Sequence, residues 1–167
     1  MRKRKCRKMW VAIASILFVV AVIAVFWKVP YSPIGAEFRK VTAEKAAMAA
    51  NVGGAFTEMD IAHLPLPVQR YFRYCGYLGT PKMPYMRASL SNVDFVMSKD
   101  RTVKIDYEQF NLVARPDRYA LISSSLFGIP FEGFDSYGDG AGSMKGVLAK
   151  VVPLFDQRGE SMDRACL

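Results

Sequence analysis

The chain has 167 residues, a formal net charge of +8 and 51% hydrophobic residues. Its length accommodates one ordinary domain, since domains usually contain about 100–200 residues. Six basic residues lie within the first eight positions, whereas residues 29–167 carry 16 basic and 15 acidic side chains. The basic charge therefore belongs to one end of the chain, which excludes a globally basic nucleic-acid-binding domain and predicts no nucleic-acid partner.

Residues 9–27 form an uninterrupted uncharged segment in which Ser15 is the only polar side chain. As an α-helix this segment spans about 28 Å, close to the roughly 30 Å hydrocarbon core of a bilayer. Trp10 and Trp27 bracket it, and indole rings favour the headgroup region. We therefore predict a transmembrane helix over residues 9–29 that contacts membrane lipid.

The charges around this segment predict its orientation. The basic tail, residues 1–8, precedes the segment, and only Lys28 directly follows it. By the positive-inside rule the tail is cytoplasmic, and the rest of a single-pass protein of the inner, cytoplasmic membrane is extracytoplasmic. The alternative is a cleaved signal peptide with a weak site at Val22-Ile23-Ala24, although its apolar stretch normally has only about 7–15 residues. A cytoplasmic DNA-binding role would require the inverted orientation.

Residues 30–54 are predicted to be a juxtamembrane linker with one modest helix over residues 35–50, whose apolar face is narrow. Thr57 and Asp60 have the spacing of a capping box, and Pro67 suits the first turn of a second short helix that Gly76 ends. The apolar residues of that helix recur at helical spacing and predict a buried stripe with a free, buried thiol: Leu64, Val68, Tyr71, Phe72 and Cys75. A Cys75–Cys166 disulfide is the alternative.

From residue 83 onward, alternating polar and apolar residues and short turns predict five strands with no helix between them. The strands are expected near residues 87–97, 103–108, 119–123, 131–137 and 144–152, and another turn is expected around Asp156–Glu160. Consecutive strands without crossover helices imply an antiparallel meander. The predicted fold is α+β, with an N-terminal transmembrane helix, short helices and a curved antiparallel sheet in a domain over residues 55–167.

The residues that most often carry catalysis or bind metal are sparse. The three cysteines and the single histidine form no pair at metal-ligand spacing: Cys6, Cys75, Cys166 and His63. We therefore predict neither a metal nor a cofactor. We also predict no catalytic residue, since no nucleophile elbow is present. Acidic residues gather late in the chain, and a facing pair would support a membrane-tethered hydrolase as the alternative function: Asp135, Asp139, Asp156, Glu160 and Asp163.

Aromatic and methionine side chains are frequent in the predicted strands. A curved sheet lined by such side chains can enclose an apolar small molecule, such as a lipid. The candidate ligand-binding residues are Tyr107, Tyr119, Phe131, Tyr137 and Met144. The alternative is that these side chains form an ordinary core beneath the sheet.

Residues 56–74, FTEMDIAHLPLPVQRYFRY, resemble the opening motif of a family of uncharacterised bacterial proteins that often carry an N-terminal membrane helix. Residues 134–144 and 156–163 agree with two later motifs of that family, so the resemblance covers about residues 55–164. It implies an envelope domain of unknown function and lends no catalytic residues. Because the family continues past the last motif, it also implies a shortened C-terminus and an open sheet edge.

Overall fold

The computed structural model describes residues 2–49 and 53–165, which form five helices and six strands. The helices are α1 Arg2–Lys28, α2 Pro33–Met48, α3 Glu58–Ile61, α4 Leu66–Tyr74 and α5 Glu160–Ala165. The strands are β1 Tyr85–Ser98, β2 Arg101–Leu112, β3 Arg118–Leu126, β4 Ile129–Gly138, β5 Ala141–Leu148 and β6 Val152–Arg158. All six form one open antiparallel sheet in chain order. The predicted α+β class and meander are therefore confirmed.

Helix α1 contains the apolar segment identified in the sequence. It is long and apolar enough to cross a membrane, and none of its most apolar stretch is buried against the rest of the protein. An exposed helix that is apolar around its whole circumference has no favourable environment in water. Its length and composition thus make α1 a candidate membrane span.

Helix α2 packs on one face of the sheet, which we call the inner face. Ser32 caps the helix, because its hydroxyl accepts a hydrogen bond of 2.9 Å from the Gly35 amide, and Pro33 occupies the first turn. Phe38 is fully buried and meets the ring of Phe134 edge-on, with 5.9 Å between centroids. The core cluster consists of Ile34, Phe38, Phe110, Tyr119, Leu121 and Phe134. The segment predicted as a linker therefore supplies part of the core.

Helices α3 and α4 precede the sheet. Thr57 and Asp60 form the predicted capping box. Gly76, with φ of +69°, follows the end of α4 as predicted. The predicted buried stripe of α4 is wrong for Val68, Tyr71 and Cys75, which are exposed, because the sheet core is covered by α2 and not by α4. The thiol of Cys75 is free, and Cys166, its alternative disulfide partner, lies outside the described residues.

The predicted fifth strand is wrong at its end. Strand β5 stops at Leu148, the chain turns through residues 149–151, and a sixth strand, β6, which was not predicted, extends into the turn expected around Asp156–Glu160. Ala149 and Lys150 have φ of +53° and +68°. Since this turn contains neither glycine nor proline, the usual composition of tight turns is missing, and the local pattern cannot reveal it.

The meander gives the sheet two distinct ends. The near end contains the turns at 99–100, 127–128 and 149–151, and the far end contains those at 113–117 and 139–140. At the near end Lys150 donates a hydrogen bond of 3.3 Å to the Phe26 carbonyl and another to the Val29 carbonyl, where α1 ends. The near end is therefore the one beside the candidate membrane span.

Candidate functional site

The face of the sheet opposite α2, the outer face, carries four of the five predicted ligand-binding residues. Cross-strand partners share a face, and the register pairs Tyr107 with Ile122, Asp135 with Met144, and Phe131 with Leu148. Tyr137 lies two residues beyond Asp135 on the same strand and so on the same face. The fifth residue, Tyr119, pairs with Phe110 and is buried in the core on the inner face.

The outer face also carries polar side chains, of which the sequence patterns singled out only Tyr107 and Asp135. The Tyr107 hydroxyl donates to Gln109 Oε1 at 2.9 Å, and Gln109 Nε2 donates to Asn111 Oδ1 at 2.9 Å. On the neighbouring strands Arg118 and Asp135 form a half-buried ion pair at 2.6 Å. Burial raises the pKa of Tyr107, while the positive charge of Arg118 opposes that rise, so the phenol is neutral at physiological pH and can donate hydrogen bonds.

Polarity on the outer face changes from one end of the sheet to the other. The near half carries apolar side chains from five strands: Val93, Phe95, Val103, Ile105, Ile122, Phe131 and Leu148. The far half carries the polar side chains of Gln109, Asn111, Arg118 and Asp135 beside the apolar or aromatic side chains of Met86, Tyr137 and Met144, and the near half also carries Ser124. Between Ile105 and Asn111 the surface runs for about 20 Å along β2. An arrangement of this kind matches a ligand with an apolar tail and a polar head.

The late carboxylates of the alternative hydrolase hypothesis have separate partners, and Glu160 contacts Arg164 while Asp163 accepts from the Gly142 amide at 2.7 Å. Asp135 is on the outer face with Arg118. Asp156 is on the inner face, opposite Lys145 on the neighbouring strand, and forms an ion pair with Arg158 at 2.9 Å. Asp139 is in the far-end turn. Arg158 lowers the pKa of Asp156, and Arg115 and then Lys45 lower the pKa of Asp139. Carboxylates that are held by separate cations do not form the acid–base pair that hydrolysis requires.

A charged cluster fastens α2 to the far end of the sheet. Lys45 Nζ lies 2.9 Å from the carboxylate of Asp117, which is buried, and 3.0 Å from the carboxylate of Asp139, which is exposed. Lys45 therefore joins two turns. Arg115 also contacts both carboxylates. The hydrogen bond to Asp117 is the main reason that the pKa of Lys45 is raised. Since each charge in the cluster has an opposite partner, the cluster explains the position of α2 and supplies no free catalytic group.

A second surface lies beside α4. The rings of Phe56, Phe72 and Tyr77 pack edge-on, and with Pro81 and Met83 they line an open apolar groove of about 580 Å³. His63, the only histidine of the chain, is exposed. Across the part of the chain that the structure describes, no three His, Cys, Asp or Glu side chains come together as a metal site.

The sequence over residues 54–167 matches the model of a protein family. The chain belongs to DUF6544, a family of unknown function. The DUF6544 region contains α3, α4, the whole sheet and α5, so both surfaces lie within it. Helices α1 and α2 precede that region, which means that the helix covering the inner face comes from outside it. No curated protein and no solved structure matches the chain.

Proposed function

We propose that this protein is a single-pass membrane protein that binds one lipid-like amphiphile on the outer face of its sheet. Residues 9–29 span the cytoplasmic membrane, the basic tail stays in the cytoplasm, and the sheet domain lies outside. The support for the orientation is the concentration of basic residues before the span, which the positive-inside rule places on the cytoplasmic side.

One observation supports the binding proposal. The polarity of the outer face changes along the strands, and its more apolar half is the half beside α1. The apolar half is at the near end, where Lys150 contacts α1, and the polar half is about 20 Å away along β2. An amphiphile lying along the strands therefore has its tail towards the membrane and its head beside Arg118 and Asp135. In the bound state the tail covers half-buried side chains such as Ile122 and Phe131.

Native mass spectrometry tests this proposal. The full chain is purified in detergent, and the detergent micelle is removed in the gas phase. We expect one co-purified amphiphile per chain, and we expect Phe131→Glu to lose it because a carboxylate replaces an apolar contact with the tail. Phe131→Leu should retain it. Val113→Glu, in an exposed far-end turn, is the matched control and should also retain it. A wild-type chain that never carries an amphiphile contradicts the proposal.

A further inference from the structure

We propose that the near end of the sheet docks on the lipid surface around α1, with Phe127 inserted among the headgroups. This inference rests on the proposed membrane-spanning role of α1. It adds a second membrane contact, made by the folded domain itself, which fixes the outer face relative to the bilayer.

The first support is the contact that places the near end at the end of the span. Lys150 is only 6% exposed, and its ammonium group lies 5.7 Å from the centre of the Phe26 ring. It donates hydrogen bonds to the carbonyls of Phe26 and Val29 at the C-terminal end of α1, where the Phe26 carbonyl also accepts from the Val29 amide at 3.3 Å. A cation at this position also interacts favourably with the helix dipole. The turn at 149–151 is thereby held against the last turn of α1.

The second support is the neighbouring turn at 127–128. The Ala149 amide donates a hydrogen bond of 2.7 Å to the carbonyl of Pro130, the second residue of β4, which joins the turn at 149–151 to the strand that follows the turn at 127–128. Two strand spacings separate the turns, a distance of about 10 Å. At the tip of this turn the side chain of Phe127 is 96% exposed. A phenylalanine so close to the end of a membrane span, with its ring fully outside the protein, is placed to enter the headgroup region.

Backbone geometry indicates that Phe127 is not there for the turn itself. Phe127 and Gly128 have φ of +54° and +82°, the values of a type I′ hairpin turn, in which asparagine or aspartate normally precedes glycine. The far-end turn Asp139-Gly140 has φ of +56° and +82° and uses that usual pair. Thus the same turn contains a polar residue at the far end and an exposed aromatic residue, less suited to this conformation, at the near end.

The remaining near-end turns carry side chains that suit a membrane interface. Val151 is exposed next to Lys150, and Val96 and Met97 are exposed near the tip of the β1–β2 hairpin. At the tip of the β1–β2 hairpin Lys99 and Arg101 flank Asp100, and Lys28 directly follows the apolar segment of α1. Exposed apolar side chains with basic residues beside them are typical of segments that lie at a membrane interface.

A fluorescent probe on Phe127 tests the docking. The full chain, with Cys6→Ser, Cys75→Ser and Cys166→Ser, is labelled with the environment-sensitive dye NBD at Phe127→Cys or, as the control, at Val113→Cys. Val113 is an exposed apolar residue in a far-end turn. Both proteins are reconstituted into vesicles of phosphatidylethanolamine and phosphatidylglycerol, with or without phospholipids that carry a doxyl quencher near the headgroup. We expect the probe at position 127 to emit at shorter wavelength and to be quenched, and the probe at position 113 to show neither effect.

The outcomes separate the docking from the anchor. If the protein floats with the vesicles after carbonate washing but both probes behave alike, the docking is overturned and the anchor stands. If the protein does not float, the anchor fails, and the docking fails with it. The emission of the probe at position 127 could instead shift only at high protein density and remain insensitive to the lipid-borne quencher. That result would show that a second copy of the chain contacts Phe127, and it would overturn the proposal.

Discussion

Lys150 shows how one side chain can determine the arrangement of larger elements. It occupies a turn position with positive φ, where a non-glycine residue is strained by about 1–3 kcal/mol. Hydrogen bonds from a charged donor contribute about 1.5–3 kcal/mol each, which offsets such strain. Because its acceptors belong to the end of α1, this lysine couples the strained turn of the sheet to the candidate membrane span.

Asp60 gives a pH-dependent prediction. Its carboxylate contacts Lys82 at 2.6 Å and accepts from the Thr57 amide at 2.7 Å, and the pair with Lys82 is the main reason that its pKa lies well below the ordinary 3.8. A group whose pKa is lower in the folded state stabilises the fold above its unfolded pKa, and this stabilisation is lost as the pH falls below that value. We therefore expect the α3 region to lose stability below about pH 3.8.

The amide shift of Thr57, followed by NMR spectroscopy through an acid titration, measures this effect. Its midpoint should lie well below 3.8 in the wild type, and the acid-induced loss of stability in urea should be smaller in Asp60→Asn. A midpoint near 3.8, or identical acid sensitivity of the two proteins, would contradict the ion pair and the capping arrangement.

At the scale of elements, α2 is the helix that completes the sheet domain. Its apolar face, whose narrowness led to the prediction of a juxtamembrane linker, is sufficient because only one side of the helix meets the sheet. The reverse holds for α4, whose apolar stripe follows helical spacing but remains partly exposed. Helix-forming composition predicts α2 and periodicity predicts α4, whereas which helix covers the sheet depends on tertiary contacts that the local pattern does not contain.

Truncation of Phe38 tests the role of α2. Removing a fully buried phenylalanine costs about 3–5 kcal/mol through lost contacts and the cavity left behind, so we expect Phe38→Ala to destabilise the domain by this amount. Met48→Ala, on the same helix at a side chain that is 73% exposed, is the control and should change stability by less than about 0.5 kcal/mol. Urea unfolding of the sheet domain measures both. Equal stabilities would show that α2 is not part of the core.

At the scale of the whole molecule, the candidate membrane span and the antiparallel meander follow from composition and alternation, because both patterns are local. The outer face follows only in part. Alternation along the paired strands places four of the candidate residues on the same face: Tyr107, Phe131, Tyr137 and Met144. Tyr119 lies on the inner face because it is paired with Phe110, whose side chain points to that face. The ion pair of Arg118 with Asp135 depends on strand register, which a single sequence does not fix.

The central claim is that an amphiphile lies along the outer face with its tail at the near end. Site-mapped photo-cross-linking measures this most directly, with the full chain in nanodiscs and a fatty acid carrying a diazirine near its terminal methyl group. We predict adducts on outer-face side chains of the near half, such as Ile105, Ile122 and Phe131, and loss of these adducts in Phe131→Glu but not in Val113→Glu. Adducts confined to α1, or spread equally over the far half of the sheet, would contradict the account.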